Sequence, residues 1–259
     1  MKGKNLFVTG DTHGDFQRFG SKRFDAPEGS TVLICGDFGG VWDRSAAEAY
    51  WLDWLEEKPY TFLFVDGNHE NYDLLNADPV SSWNGGNVHV VRNNVIQLMR
   101  GQIFDIEGVR FFVFGGARSH DIGGGILSPD DPDIREKIRR LNREQALYRI
   151  DRVSWWKEEM PSEAEMSEGI ANLEKAGNSV DCILTHCAPT SVQDILSGGL
   201  YGHDKLTEYL EKIRRNCSFG MWFFGHYHEN RTVGRDFLML YEAVVPLSEF
   251  LERDSGFEE

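Results

Sequence analysis

The sequence predicts an α/β protein in which two β-sheets lie between outer layers of helix. Three observations predict it. Short apolar runs alternate with helix-length polar segments over the first third of the chain, at 5–10, 31–36 and 60–65. From Val88 to Phe114 the pattern changes to β-rich pieces broken at Asn93-Asn94, Arg100-Gly101 and Glu107-Gly108, which read as antiparallel hairpins carrying one sheet into the next. Alternation then resumes, with strands expected at 180–185 and 221–224 and one or two closing strands within 231–247. A chain of 259 residues with 41% hydrophobic and 12% aromatic content buries a sizeable core, and one domain spanning residues 1–259 is the expected organisation.

Taken in order, the strand at 5–10 leads into Asp11-Thr12-His13-Gly14, where Asp and His two apart point the same way from an extended segment. Residues 16–28 are short and polar, enough for one helical turn. Thr31-Val32-Leu33-Ile34-Cys35 reads as a strand buried on both faces, ending at Gly36-Asp37. A helix follows at about 45–57, with Ser45 and Glu48 spaced as a capping box and Tyr50, Trp51, Trp54 and Leu55 as its core stripe. The strand at 60–65 delivers Asp66-Gly67-Asn68-His69-Glu70, and a short helix is expected at 71–77. Residues 115–165 are the least regular part, with a charged helix at about 134–149, the pair Trp155-Trp156 packing the segment, and Pro161-Ser162 opening a helix at about 163–176. Loops this long within a compact fold are functional or disordered, so about 117–165 is expected to be a lid or specificity insertion. The strand at 180–185 delivers His186-Cys187, a helix is expected at about 204–215, and the strand at 221–224 delivers His226-Tyr227-His228.

Five apolar runs thus end in metal-binding side chains: Asp11 and His13, Asp37, Asn68, His186, and His226 with His228. One Asp or His after a strand is a turn residue by default. Five together on one rim make a metal site. The donors are mixed N and O, a set that suits Mn first, then Fe, Zn, Ni or Co, rather than Ca. Seven donors exceed one tetrahedral ion but suit two divalent ions sharing a bridging carboxylate, for which Asp37 is the natural choice. Two such ions ~4 Å apart clamp a phosphoryl oxygen and favour in-line displacement by a bridging hydroxide. His69 points away from Asn68 in an extended segment, where it faces a leaving group as a general acid.

Asp11-x-His13, Gly36-Asp37, Gly67-Asn68-His69-Glu70, His186 and Gly225-His226-x-His228, in this order, resemble the motifs of the calcineurin-like metallophosphoesterases over residues 5–245. The resemblance implies a four-layer αββα sandwich with two central mixed β-sheets and a dinuclear centre at the strand ends. It implies one site of Asp11, His13, Asp37 and His228, a second of Asp37, Asn68, His186 and His226, and His69 as the leaving-group acid. Gly115 through Trp156 resembles insertions in a bacterial and phage branch of the family. One departure concerns the phosphate clamp. The protein-phosphatase branch carries Gly-Asp-x-x-Asp-Arg, whereas here Gly40 stands in place of that Asp and Asp43-Arg44 follows three residues later. Arg44 and Arg118 are the candidate clamps, and His120 and His203 are substrate contacts if their loops fold over the site.

The remaining composition narrows the function. Forty-two acidic against 27 basic residues give a net charge of −15, which argues against stable nucleic-acid binding, although bound cations would still permit nuclease chemistry. Four cysteines without CxxC spacing read as reduced core thiols, Cys187 being a small residue near the site. No h-region and no long apolar run is present, so no signal peptide and no membrane span are expected, and the location is cytoplasmic. The expected activity is phosphomonoester hydrolysis on a phosphoprotein or nucleotide, the Glu after Asn68-His69 echoing the phosphoprotein phosphatases. The alternatives are a phosphodiesterase acting on cyclic nucleotides, nucleic acid or dinucleoside polyphosphates, and a non-catalytic protein-binding module. A lost ligand would mark the module, and all seven are kept.

Overall fold

A computed structural model describes residues 2–251. Strands β1 (Leu6–Thr9), β2 (Thr31–Ile34) and β3 (Thr61–Phe64) run parallel, in the register Val8 to Leu33 to Leu63. An antiparallel set, β4 (Val80–Trp83), β5 (Gly86–Arg92) and β6 (Val95–Leu98), extends that sheet through β6, which lies parallel to β3. The chain then crosses to a second sheet through the hairpin β7 (Ile103–Ile106) and β8 (Val109–Phe114). A separate parallel pair, β9 (Ile126–Leu127) and β10 (Arg149–Ile150), lies within the irregular segment. Strands β11 (Cys182–Thr185), β12 (Met221–Phe224), β13 (Arg231–Val233) and β14 (Phe237–Met239) complete the second sheet, while β15 (Val244–Pro246) returns antiparallel to β1. The first sheet has the order β15-β1-β2-β3-β6-β5-β4 and the second β13-β14-β12-β11-β8-β7.

The period of two along each strand sorts side chains into layers. Leu6, Val8, Leu33 and Leu63 meet Phe111, Val113, Leu184 and Phe223 between the sheets. Val32, Ile34, Phe62 and Phe64 face outward onto α1 (Ala46–Glu56) and α2 (Tyr72–Leu75). Within the irregular segment, α3 (Ile134–Glu144) buries only Leu141. On the other outer face Phe112, Phe114, Ile183 and Trp222 pack under α4 (Glu163–Lys175), α5 (Thr190–Ser197) and α6 (Lys205–Asn216), and α7 (Ser248–Leu251) follows β15. The result is an αββα sandwich. Each large side chain buried in these layers contributes about 1.5–3 kcal/mol, so the parallel strands are held by three apolar interfaces at once.

Several local expectations are corrected. The buried face of α1 is Leu52 and Leu55, with Trp51 and Trp54 at its flanks, and Tyr50 is 61% exposed. Only half of the capping box forms: Ser45 accepts the Glu48 N–H, but Asp43 takes the Ser45 N–H while Glu48 gathers those of Trp42, Asp43 and Arg44. The reciprocal box appears instead on α4, between Ser162 and Glu165. Residues 231–247 hold three strands shared between two sheets, because β14 adds to β12 while β15 crosses back to β1. The helix α5, begun at Pro189, and the edge strand β4 are not signalled by apolar spacing. The helix expected over 134–149 stops at Glu144, where Gln145 adopts a left-handed conformation and the chain turns into β10.

A buried ion pair ties the ends of the irregular segment to the rim of the first sheet. Arg100, in the crossover after β6, donates from Nε to Asp66 Oδ2 at 2.8 Å and from Nη2 to the Glu158 carbonyl at 2.9 Å. The Tyr72 hydroxyl lies 2.7 Å from Asp66 Oδ2 and 2.6 Å from the Gly67 carbonyl, so the turn that presents Asn68 is clamped from below. Burial opposes the Arg100 charge, but Asp66 more than offsets it and holds the guanidinium above its ordinary range. Removing one partner of such a pair leaves an uncompensated buried charge. Arg100→Met is therefore expected to lower stability by about 3–5 kcal/mol in urea titrations followed by far-UV dichroism. A loss below about 1 kcal/mol would mean that Asp66 is compensated elsewhere.

Candidate metal centre

The rim where β1, β2, β3, β11 and β12 end gathers the side chains expected there. Asp11 and Asp37 are buried. One ligand atom each from Asp11, His13, Asp37 and His228 lies within 4.8 Å of the others. His228 Nε2 stands 3.2 Å from Asp11 Oδ2 and 3.0 Å from His13 Nε2. Around the other side of Asp37, His186 Nε2 lies 3.4 Å from Oδ1 and 3.1 Å from Asn68 Oδ1, and His226 meets the His186 ring edge-on at 5.0 Å.

The backbone around these side chains is locally strained. His13, Asp37, His226 and His228 all adopt positive φ, a region that L-residues enter at a cost and that clusters at functional sites. Thr12 and His13 donate their N–H groups to the Asp37 carbonyl, which locks the β1 loop onto the β2 loop. Glycine is required at two approaches: a Cβ on Gly67 would overlap Asp37 Oδ1, and one on Gly225 would overlap Asp11 Oδ1. The side chains are oriented from behind. Asp11 accepts the His226 N–H at 3.0 Å, Asp37 Oδ1 accepts the His69 N–H at 2.7 Å, and His186 Nδ1 lies 2.7 Å from the Cys35 carbonyl, leaving Nε2 directed at the cluster. Asn68 Nδ2 donates to Ser119 Oγ at 3.4 Å, and Ser119 is in turn held by the buried Glu159 through its N–H and Oγ. Glu70, carried in the motif after His69, accepts the Phe38 N–H at 2.7 Å and so braces the Asp37 loop.

The donors fit divalent cations. Two buried carboxylates need compensation. Among the described residues no lysine or arginine forms an ion pair with Asp11 or Asp37; every partner is an imidazole. Arg18, the nearest guanidinium to Asp11, goes to backbone carbonyls of Asp11 and Tyr241 and to Thr9 Oγ1. The electrostatics follow. Burial opposes a charge on His186, yet Asp37 and Asp11 push it up to about 10. Burial would raise Asp37, yet the His186 charge holds it well below the usual carboxylate range. Burial lowers His13, His69 and His226, while the bond to Asp11 raises His228.

The other sequence candidates scatter. Arg44 sits at the entry to α1 with positive φ, lining a hollow with Val90, Val91 and Arg92, and makes no contact with the cluster. His203 pairs with Asp194 at 2.8 Å, on α5. Arg118 is exposed, its charge felt by His120. His120 itself reaches the centre, its Nε2 2.8 Å from His226 Nε2. Two residues that no sequence pattern marked also arrive: Arg149 Nη2 stands 3.1 Å from His69 Nδ1 and pairs with Asp121. Nothing in the spacing around position 149 distinguishes that arginine from its neighbours in α3. Trp156 packs edge-on against Trp42 and donates to Asp73, so it fastens the segment to the first sheet's side.

A cup of carboxylate and imidazole on the rim of a two-sheet sandwich defines a metal-dependent hydrolase. Residues 4–230 match the calcineurin-like phosphoesterase family, and the chain belongs to it. It is thus a metal-dependent phosphoesterase, a phosphoric ester hydrolase. No curated protein sequence matches the chain significantly. All four cysteines are buried and free, and no helix among the described residues is long and apolar enough to cross a membrane.

A cation ligated by His186 would displace its proton, since an imidazole ligates only when deprotonated. In chelator-stripped protein that proton stabilises the fold fully below pH 6.5, and its contribution fades as pH rises through about 10. Titrating Mn²⁺ into stripped protein at neutral pH is therefore expected to release about one proton per chain, read by calorimetry in buffers of different ionisation enthalpy. The unfolding temperature should rise at the same time, by the equivalent of about 2.7 kcal/mol when Mn²⁺ stands at a hundred times its Kd. Binding without proton release would contradict the assignment of the proton to His186.

Proposed function

We propose that this protein hydrolyses phosphomonoesters, using one cation held by Asp11, His13, Asp37 and His228 and a second held by Asp37, Asn68, His186 and His226. The observation that carries this reading is the division of Asp37: Oδ2 lies 3.7 Å from His13 Nε2 while Oδ1 lies 3.4 Å from His186 Nε2. One carboxylate thereby addresses both donor groups, which is what a bridging ligand must do. When bound, two divalent cations (Mn, or Fe, Zn, Ni or Co) supply Lewis-acid polarisation of a phosphoryl oxygen and an acidified water.

The chain's own groups do the rest. Asp11 and Asp37 set the charge of the centre, and the Ser119–Glu159 pair fixes which face of the Asn68 amide is presented. His69 is anchored through its N–H to Asp37, and its ring stands edge-on to His13 at 5.3 Å. There it protonates the departing oxygen, completing the exchange in which water's oxygen bonds to phosphorus as the ester P–O bond breaks. Residues 117–165 act as a lid, since His120 meets His226 and Arg149 meets His69 on two flanks of the cup. A rim narrowed in this way suits a terminal phosphoryl group better than a phosphodiester within a polymer, and the net charge of −15 works against a polyanionic substrate. A phosphoprotein or nucleotide of the cytoplasm is the proposed substrate class.

With Mn²⁺, aryl monoesters are expected to exceed aryl diesters in kcat/KM, and His69→Asn is expected to lower kcat by about 100-fold or more with metal content unchanged. Preferential turnover of the diester would replace this reading with a phosphodiesterase. Absence of turnover on either substrate with both cations bound would favour a binding module.

A further inference from the structure

We propose that Arg149, delivered from outside the shared motifs by β10, is the clamp for an anionic phosphoryl oxygen, and that Asp121 is its positioning residue. The inference rests on the phosphoester reading of the site and assigns an arginine contact to the phosphoryl group, which the chain lacks where Gly40-Val41 stand in place of Asp-Arg. Arg118 is exposed, its charge felt by His120, and of the more enclosed arginines at the rim two are engaged by the protein. Arg18 donates to Thr9 Oγ1 and to the carbonyls of Tyr241 and Asp11, and Arg100 is spent on Asp66, Tyr72 and the Glu158 carbonyl. Arg149 differs. One terminal nitrogen lies 3.1 Å from His69 Nδ1 and 3.5 Å from Nε2, and pairs with Asp121 Oδ2. The other reaches only the Ser154 carbonyl, at 3.5 Å. A guanidinium carries five donors in a planar fork matched to carboxylate or phosphate; here Nε has no partner among the described residues and Nη1 is held only at 3.5 Å, so that edge of the fork stays open to an incoming anion.

The supports are built to aim this side chain. The register of Arg149 with Ile126, and of Ile150 with Leu127, fixes the backbone, and Ser154 Oγ accepts the Ile150 N–H at 2.9 Å. The Arg149 side chain is 19% exposed, sheltered enough for its charge to act at short range and open enough to meet a ligand. Asp121 holds it through Oδ2 alone, whereas Oδ1 is buried without a hydrogen-bond partner. Asp121 thus leaves the guanidinium singly held beside the proposed acid. Arg149 transfers no proton. It balances charge on a non-bridging oxygen while His69 serves the leaving oxygen.

The test compares Mn²⁺-loaded wild type, Arg149→Ala, Arg149→Lys, Asp121→Asn and the Arg149→Ala/Asp121→Asn double variant. Calorimetric titration with inorganic phosphate reads the clamp directly, and aryl phosphate turnover, bound metal and thermal midpoint are measured alongside. Arg149→Ala is expected to weaken phosphate about tenfold and to lower kcat/KM by about 100-fold, with metal content unchanged. Arg149→Lys keeps a point charge without the fork and should recover part of the phosphate affinity, which also shows that the segment folds. Asp121→Asn should weaken phosphate severalfold in the wild-type background and have no effect in the Arg149→Ala background, because a positioning residue acts only through the group it positions. Equal phosphate affinity in wild type and Arg149→Ala, no phosphate binding to wild type, or an Asp121→Asn effect that persists without Arg149 would each overturn the proposal. If wild type binds phosphate through Arg149 but cleaves no ester, the hydrolase reading fails and the clamp stands.

Discussion

The whole rim depends on two carboxylates that the fold buries with no lysine or arginine paired to them among the described residues. The ion-pair partners of Asp11 and Asp37 are imidazoles, and Asp37 meets a different one with each oxygen. Buried charge of this kind is tolerable only with compensation, so the geometry of five strand ends has been adjusted around it. Loops take positive φ at four of the seven donor positions, and glycines stand where a Cβ would strike a carboxylate. The three apolar interfaces of the sandwich bear that local strain. Their cohesion lets the strand ends hold conformations that an isolated loop would relax out of.

A second layer of dependence runs from the rim into residues 115–160. Ser119 and Glu159 steady Asn68, the Glu158 carbonyl receives Arg100, and Trp156 lies against Trp42. The segment is therefore continuous with the support of the centre at its two ends, while its middle carries His120, Asp121 and Arg149 to the open side of the cup. Orientation of the donors and recognition of what they act upon are assigned to different stretches of the same excursion.

The part of this that could be read from sequence is the part written as strand followed by donor. An apolar run buried on both faces has one reading, and five such runs ending in Asp, Asn or His identify a common edge before any coordinates exist. What stayed hidden depends on irregular backbone. Arg149 follows the end of α3 after a left-handed turn at Gln145, and its neighbours carry no period that would aim it at His69. Arg44 is a candidate because Asp43-Arg44 follows three residues after Gly40, but Glu48 collects three consecutive N–H groups there and folds the loop into the start of α1 instead. Helical spacing groups Tyr50 with Trp51, Trp54 and Leu55, whereas α1 presents Leu52 and Leu55 inward. The eight-residue α5 is too short for its spacing to declare it, and its outward residue Ile195 blurs what pattern remains.

The joining of Ser119 to Glu159 has a consequence for how such proteins diversify. Those two residues meet at 3.0 Å although forty positions separate them, so the excursion leaves and re-enters the body at one point. Lengthening or shortening a stretch whose ends are already pinned changes closure entropy only slowly. Descent can therefore rewrite everything between the two anchors as an exchangeable cassette, with the strand order and the buried carboxylates passing unaltered from one lineage to the next.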